Sequence, residues 1–148
     1  MWNSWFKKKY EKVSFEDVQF AIQYASPPTT DFTIINTLSI TDQKCLIKNT
    51  ISCHQEENII NKYIENYEYR IPKFIVYGRN TNDPTVERKC EELLQLGFIH
   101  VYLYPGGIFE WLMLQDIYGK DEFPTTTNVL DLLKYKPSRR FGGSLITA

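Results

Sequence analysis

Hydrophobic positions along the chain follow two alternating patterns, one typical of strands and the other of helices. Residues 33–38 form a short run rich in the β-branched residues Ile and Thr, and residues 74–77 form a second run that is hydrophobic at every position. Such a run is typical of a central parallel strand that is covered on both faces. Segments with hydrophobic residues three and four apart lie between and after these runs and predict helices, one beginning near residue 56 and one at residue 84. The alternation predicts an α/β fold, with a mainly parallel sheet flanked by helices on both faces.

Polar residues predict where several elements begin. Ser14 is a favourable helix N-cap, and Asp17 lies three residues later, as in a capping box. Asp83 can cap the helix that follows it, and Pro84 suits the first position of that helix. Another hydrophobic run, over residues 101–104, predicts a further strand.

The length of 148 residues suffices for one compact domain and is too short for two ordinary ones. We expect an N-terminal arm over 1–11, one domain over 12–120, and an extension over 121–148 that packs on the same domain. The arm contains aromatic residues followed by three lysines at 7–9. It packs on its own domain or, alternatively, contacts a membrane surface or a partner. A short helix is predicted at 128–134.

Charge and cysteine content exclude several classes of protein. The net charge of −1 argues against general nucleic-acid binding. The three cysteines, Cys45, Cys53 and Cys90, are odd in number and match no zinc spacing, so we expect free thiols, a reducing compartment, and neither metal nor cofactor. No hydrophobic run approaches the roughly 18 residues of a membrane span, and no signal peptide is evident at the N-terminus. We expect a soluble cytoplasmic protein.

The segment between the strand at 74–77 and the helix at Pro84 is the expected ligand site. In parallel sheets, ligands bind where the carboxyl ends of strands meet the amino ends of helices. Amide groups in such a loop can hold an anion, to which an arginine could add its guanidinium. A glycine at the start of the loop tolerates unusual backbone angles. The candidate binding residues are Gly78, Arg79, Asn80, Thr81, Asn82 and Asp83.

Several segments resemble, in order, the motifs of a rhodanese-like domain. Residues 74–78, Phe-Ile-Val-Tyr-Gly, lie where that family has a strand of the Val-Val-Tyr-Cys kind, which ends in the sulfur-carrying cysteine. Residues 97–101 resemble its Gly-Phe-x-x-Val motif, and residues 106–111 resemble Gly-Gly-Ile/Leu-x-x-Trp, which is the most specific match. The resemblance extends over about residues 13–111 and implies the rhodanese-like fold.

The resemblance also implies a sulfurtransferase site that has lost its nucleophile. In active members the loop cysteine becomes a persulfide, whose charge the loop amides stabilise. Gly78 stands in that place, and residues 77–83 contain no cysteine. We therefore expect a non-catalytic protein-interaction or regulatory module, whose unidentified partner binds at the former active-site mouth over residues 78–82. The carboxylate of Asp83 could satisfy the same amides and would then repel an incoming anion.

Two alternatives remain open at this stage. The first is a thiosulfate sulfurtransferase that uses a displaced cysteine, Cys53, which is followed by His54 and lies after the hydrophobic stretch at 50–51. The second is a relic site that binds phosphate or sulfate without chemistry. Cys45 and Cys90 lie among hydrophobic residues and are predicted to be core thiols.

Overall fold

The protein contains a parallel four-stranded sheet, as seen in a computed structural model that describes residues 9–24 and 31–142. The strands are β1 (Glu11–Lys12), β2 (Phe32–Asn36), β3 (Lys73–Tyr77) and β4 (His100–Leu103), and their order in the sheet is β1-β4-β3-β2. The β3 strand lies inside the sheet and is fully buried after its first residue, in agreement with its uninterrupted hydrophobic sequence.

Helices cover both faces of this sheet, which confirms the predicted α/β architecture. The helices are α1 (Phe15–Gln23), α2 (Cys53–Glu65), α3 (Pro84–Gln95) and α4 (Gly107–Tyr118). One hydrophobic cluster joins α1 and α4 to the sheet through residues such as Val18 and Trp111. A second cluster joins α2 and α3 to the opposite side through residues such as Ile60 and Val86.

Local capping explains why the helices begin where they do. The Ser14 hydroxyl accepts a hydrogen bond from the Asp17 amide, and the Asp17 carboxylate accepts one from the Ser14 amide, so the predicted capping box is present. Asp83 is the N-cap of α3 and Pro84 is its first residue, as predicted. The α2 helix begins earlier than expected, at Cys53, because Ser52 caps it by accepting a hydrogen bond from the His54 amide.

The predicted helix at 128–134 is wrong. Only a 3-10 turn forms, over Leu132–Tyr135. The Asp131 carboxylate accepts a hydrogen bond from the Leu133 amide and so starts a turn only at this point. Residues 45–51 form no strand and contribute only two isolated bridges, Ile34 with Thr50 and Ile47 with Thr125.

The C-terminal extension contributes side chains to the same core. Phe123 and Tyr135 are buried in the cluster that contains α1 and α4, and the Thr126 amide donates to the Leu46 carbonyl at 2.8 Å. At the other end of the chain, β1 begins at Glu11, while the aromatic residues and lysines at 2–8 lie outside the described residues. Within the described ranges, no helix is both long enough and apolar enough to cross a membrane.

Candidate functional site

The candidate loop, residues 78–83, joins β3 to α3 and packs against the first turn of α4. The Gly78 carbonyl accepts a hydrogen bond from the Ile108 amide, and the Arg79 carbonyl accepts one from the Phe109 amide, both at 2.9 Å. Gly107 has a φ of +66°, and a Cβ at that position would lie 2.6 Å from the Gly78 carbonyl oxygen. Glycine at position 107 therefore permits the close approach of α4 that fixes the loop.

The Asp83 carboxylate occupies the amino end of α3. Its Oδ2 accepts a hydrogen bond from the Arg79 amide at 3.0 Å, while Oδ1 accepts from the Thr85 amide at 3.0 Å and from the Thr85 hydroxyl at 2.6 Å. Burial alone would raise the pKa of this carboxyl group, but the hydrogen bonds from Thr85 and Arg79, with the guanidinium of Arg79, lower the pKa below its ordinary value. The loop thus contains a fixed negative charge of its own.

Position 78 has no room for a side chain. A Cβ built there would lie 2.4 Å from Asp83 Oδ2, 2.6 Å from Val86 Cγ2 and 2.8 Å from Thr37 Oγ1. The backbone of Gly78 is not in the left-handed region, so the loop does not use the tolerance of glycine for unusual backbone angles at this position. Glycine is required at this position because Asp83, Val86 and Thr37 fill the space where a Cβ would be.

The Arg79 guanidinium is engaged within the protein. Its Nη1 lies 3.0 Å from Asp42 Oδ2 in an ion pair, and its Nη2 donates to the Lys134 carbonyl. The guanidinium also lies over the Tyr135 ring, 5.3 Å from the ring centroid. An incoming anion would therefore compete with the Asp42 carboxylate for this cation.

Asn80 binds the same segment of backbone. Its side chain is buried, and its Nδ2 donates to the Tyr135 carbonyl at 2.8 Å. The hydrogen bonds from Arg79 to the Lys134 carbonyl and from Asn80 to the Tyr135 carbonyl hold residues 131–135 against the loop, and we call these residues the C-terminal strap. Thr81 and Asn82 are exposed. The predicted binding residues thus fall into two groups, a buried or half-buried set, 78–80 with Asp83, and an exposed pair.

Sequence reasoning did not identify Asp42 or the strap as parts of this site. Asp42 lies 37 residues before Arg79, and Lys134 and Tyr135 lie 55 residues after the loop residues that they contact. No local pattern signals such contacts. The only sequence hint was the general expectation that the extension packs on the domain.

Cys53 is the first residue of α2 and is partly exposed. The segment that leads to it pairs with β2 through Thr50, and β2 in turn pairs with β3. Since neighbouring strands lie about 4.8 Å apart, this segment is about 10 Å from the strand that leads into the loop. Among the described residues, no hydrogen bond or ion pair joins Cys53 or His54 to the loop at 78–83. Cys45 and Cys90 are buried, as predicted.

Metal-ligating side chains are not concentrated in this region. Among residues 9–24 and 31–142 there is no cluster of three or more His, Cys, Asp or Glu side chains that could hold a metal ion. The polar groups present at the loop include its amides, the Thr85 hydroxyl, the Asp83 carboxylate and the ion-paired guanidinium of Arg79.

The fold is similar to those of solved rhodanese-like proteins. Ygr203w of Saccharomyces cerevisiae, a homolog of single-domain rhodanese and of the Cdc25 phosphatase catalytic domain, shares 14% identity over 83% of this chain and 91% of its own, with a TM-score of 0.58. The single-domain sulfurtransferase RDL2 of the same yeast shares 14% identity over 75% of this chain and 95% of its own, with a TM-score of 0.51. The Alr3790 protein from Anabaena sp. shares 19% identity over 82% of this chain and 96% of its own, with a TM-score of 0.54.

These likenesses confirm the rhodanese-like fold that the sequence motifs predict. At such identities they show the fold alone, because proteins of one fold can differ in activity. No protein-family model and no curated protein matches the chain.

Proposed function

We propose that this protein is a catalytically inactive rhodanese-like domain that acts as a protein-interaction or regulatory module. The observation that supports this function most directly is the content of the loop between β3 and α3. Where the resemblance expects a cysteine, Gly78 has no space for a Cβ, and the Asp83 carboxylate accepts the hydrogen bonds that would stabilise a persulfide. Sulfur transfer requires a thiolate nucleophile, and residues 77–83 supply none.

The fixed charge of Asp83 also weighs against the loop as an anion-binding relic. Thiosulfate, sulfate and phosphate are all negatively charged at neutral pH. Each would have to approach a carboxylate that already uses the Arg79 and Thr85 amides. The Arg79 guanidinium, which could offset that repulsion, is paired with Asp42. Like charges brought together at a partly buried site disfavour binding.

A partner would meet a surface that is already ordered. The strap holds Arg79 and Asn80 from one side, and the exposed side chains of Thr81 and Asn82 form the outer rim of the former mouth. Binding to an ordered surface costs less conformational entropy than binding that must first order a loop. The geometry therefore suits recognition of a protein partner by this rim.

A sulfurtransferase assay with thiosulfate and cyanide tests the proposal, with the purified wild type beside Cys53→Ser and Cys45→Ser. We expect no turnover above the uncatalysed rate in any of the three. Turnover that persists in Cys53→Ser would contradict the inactive assignment directly. Turnover that is lost in Cys53→Ser and kept in Cys45→Ser would instead support the displaced-cysteine enzyme.

The partly exposed thiol of Cys53 is the observation that keeps this second candidate worth testing. In such an enzyme the Cys53 thiolate attacks the outer sulfur of thiosulfate, which forms a cysteine persulfide and releases sulfite. Cyanide then takes the outer sulfur as thiocyanate and regenerates the thiolate. Mass spectrometry after thiosulfate treatment would detect one added sulfur atom on the peptide that contains Cys53. We expect no such adduct.

A calorimetric titration with inorganic phosphate separates the inactive module from an anion-binding relic. We expect no saturable binding by the wild type. Saturable binding that is weakened by Arg79→Ala, and not by the exposed control Arg70→Ala, would assign an anion site to the loop. Such binding would leave the absence of catalysis untouched, so the two claims can fail separately.

A further inference from the structure

Positive charge is segregated along this chain. Residues 1–10 and 132–148 contain seven of the 17 Lys and Arg residues and none of the 18 acidic residues. Residues 11–131 therefore carry ten cationic and 18 acidic residues, a formal charge of −8. The overall charge of −1 conceals this separation. Because salt screens charges beyond about 8 Å, a surface that approaches the C-terminal end meets its local positive charge rather than the net charge.

The C-terminal positive charge is exposed and largely unpaired. We call residues 136–141 the basic tail. Lys136, Arg139 and Arg140 are exposed, and none of them forms an ion pair within the described part of the chain. Lys134 differs, since its Nζ lies 3.8 Å from Asp42 Oδ1 and 4.9 Å from the centroid of the Tyr135 ring.

Exposed hydrophobic side chains accompany these cations. Phe141, directly after Arg140, is 82% exposed, and Leu133, just before the tail, is 57% exposed. The residue before the tail, Tyr135, is fixed in the domain, because its side chain is buried and its carbonyl accepts a hydrogen bond from Asn80 Nδ2. A ligand that binds the tail is therefore linked to the folded domain through Tyr135.

From these features we propose that the basic tail binds the surface of membranes that contain anionic lipids. Lys and Arg are attracted to anionic headgroups, and an aromatic side chain beside them can insert at the boundary between headgroups and acyl chains. The tail contains no helix or strand that would offer a preformed groove to an acidic peptide. A membrane requires no such groove, since charge and hydrophobic side chains on one segment suffice.

The sequence contains the same combination a second time. Trp2, Trp5 and Phe6 precede three lysines at 7–9. Stable attachment to a membrane generally takes two signals, because a single weak one gives only marginal, reversible binding. The two basic segments together would supply these two signals.

Sedimentation of the full chain with phosphatidylcholine vesicles, prepared with or without phosphatidylserine, tests the proposal. We expect binding only to the phosphatidylserine vesicles, with loss at high salt. Each cation near an anionic surface adds about five-fold to the affinity, equivalent to about 1 kcal/mol. Arg139→Gln with Arg140→Gln should therefore weaken binding about 25-fold. The control pair Lys62→Gln with Arg70→Gln removes two exposed cations from α2 and the segment after it, and should bind like the wild type.

Three outcomes would overturn the proposal. One is equal binding to vesicles with and without phosphatidylserine. Another is unchanged binding after the Arg139 and Arg140 substitutions. The third is capture by polyglutamate or by a short RNA without vesicle binding, which would assign the tail to a different class of partner. Phe141→Ala adds an independent measurement, because it should weaken vesicle binding without changing its dependence on salt.

Discussion

The substitution Gly78→Ala tests most directly whether lack of space accounts for the glycine in the loop. The added methyl group would lie 2.4 to 2.8 Å from atoms of Asp83, Val86 and Thr37. Overpacking of this kind costs about 1–3 kcal/mol. Asp83 cannot move away freely, because it caps α3, and loss of a cap costs about 0.5–2 kcal/mol. We therefore expect Gly78→Ala to lower the free energy of unfolding by about 2–4 kcal/mol.

A double-mutant cycle with Asp83→Ser separates the clash from other effects of the substitution. Serine can still cap the helix, but its shorter side chain withdraws from the space beside position 78. Gly78→Ala should then cost about 1–2 kcal/mol less in the Asp83→Ser background than in the wild type, because the contacts with Val86 and Thr37 remain. Urea unfolding of the four proteins measures this difference.

The exposed substitution Thr81→Ala in the same loop is the control and should change stability by less than about 0.5 kcal/mol. A Gly78→Ala variant as stable as Thr81→Ala would refute the steric argument. Strict additivity of Gly78→Ala and Asp83→Ser would also refute it, because the carboxylate would then not be the group that the methyl contacts.

Three further predictions follow from the same geometry. The pKa of Asp83 is lower in the folded protein than in the unfolded chain. Its ionised carboxylate should therefore stabilise the fold above the unfolded pKa of about 3.9, and this stabilisation should be lost as the pH falls through the folded pKa. The difference in unfolding free energy between the wild type and Asp83→Asn should accordingly shrink below about pH 4. A thiol reagent should label only Cys53 in the native protein, and Cys45 and Cys90 as well after unfolding. Cys45 and Cys90 are buried in the folded protein, and burial, with nearby acidic residues, raises the pKa of Cys90 to about 12. Asn80→Ala should destabilise the protein by about 1–3 kcal/mol in urea unfolding, because it leaves the Tyr135 carbonyl without its donor; an unchanged midpoint would contradict the proposed anchoring of the strap.

Short-range sequence patterns correctly predicted the strand and the helix on either side of the loop. Three such signals lie within a few residues of one another: the hydrophobic run of β3, the Asp83 cap and Pro84. Each reflects an interaction between residues that are close in sequence. The same holds for the capping box of Ser14 and Asp17. The mainly parallel sheet followed from the alternation of elements and from the resemblance, whereas the strand order was not predicted.

Long-range contacts could not be predicted in the same way. The ion pair of Arg79 with Asp42 and the bond from Asn80 to the Tyr135 carbonyl join segments that are far apart in sequence. The buried hydroxyl of Tyr77 is another example: it accepts a hydrogen bond from the Ile47 amide at 3.1 Å and lies 2.8 Å from the Thr50 hydroxyl. A tyrosine in a hydrophobic strand looks like any other core residue until its polar partners are placed around it.

Gly78 shows why the meaning of a residue can depend on such placement. A loop can require glycine because its backbone adopts a positive φ or because other atoms lie where a Cβ would be, and the sequence alone does not distinguish the two. Here a Cβ at position 78 would lie 2.4 Å from Asp83 Oδ2, so the Asp83 carboxylate can occupy its place only because residue 78 is a glycine. A thiol could not be restored at position 78 without displacing Asp83. For the same reason we expect Gly78→Cys alone to give a strained protein without sulfurtransferase activity, and any recovery of activity would require a smaller residue at position 83 as well.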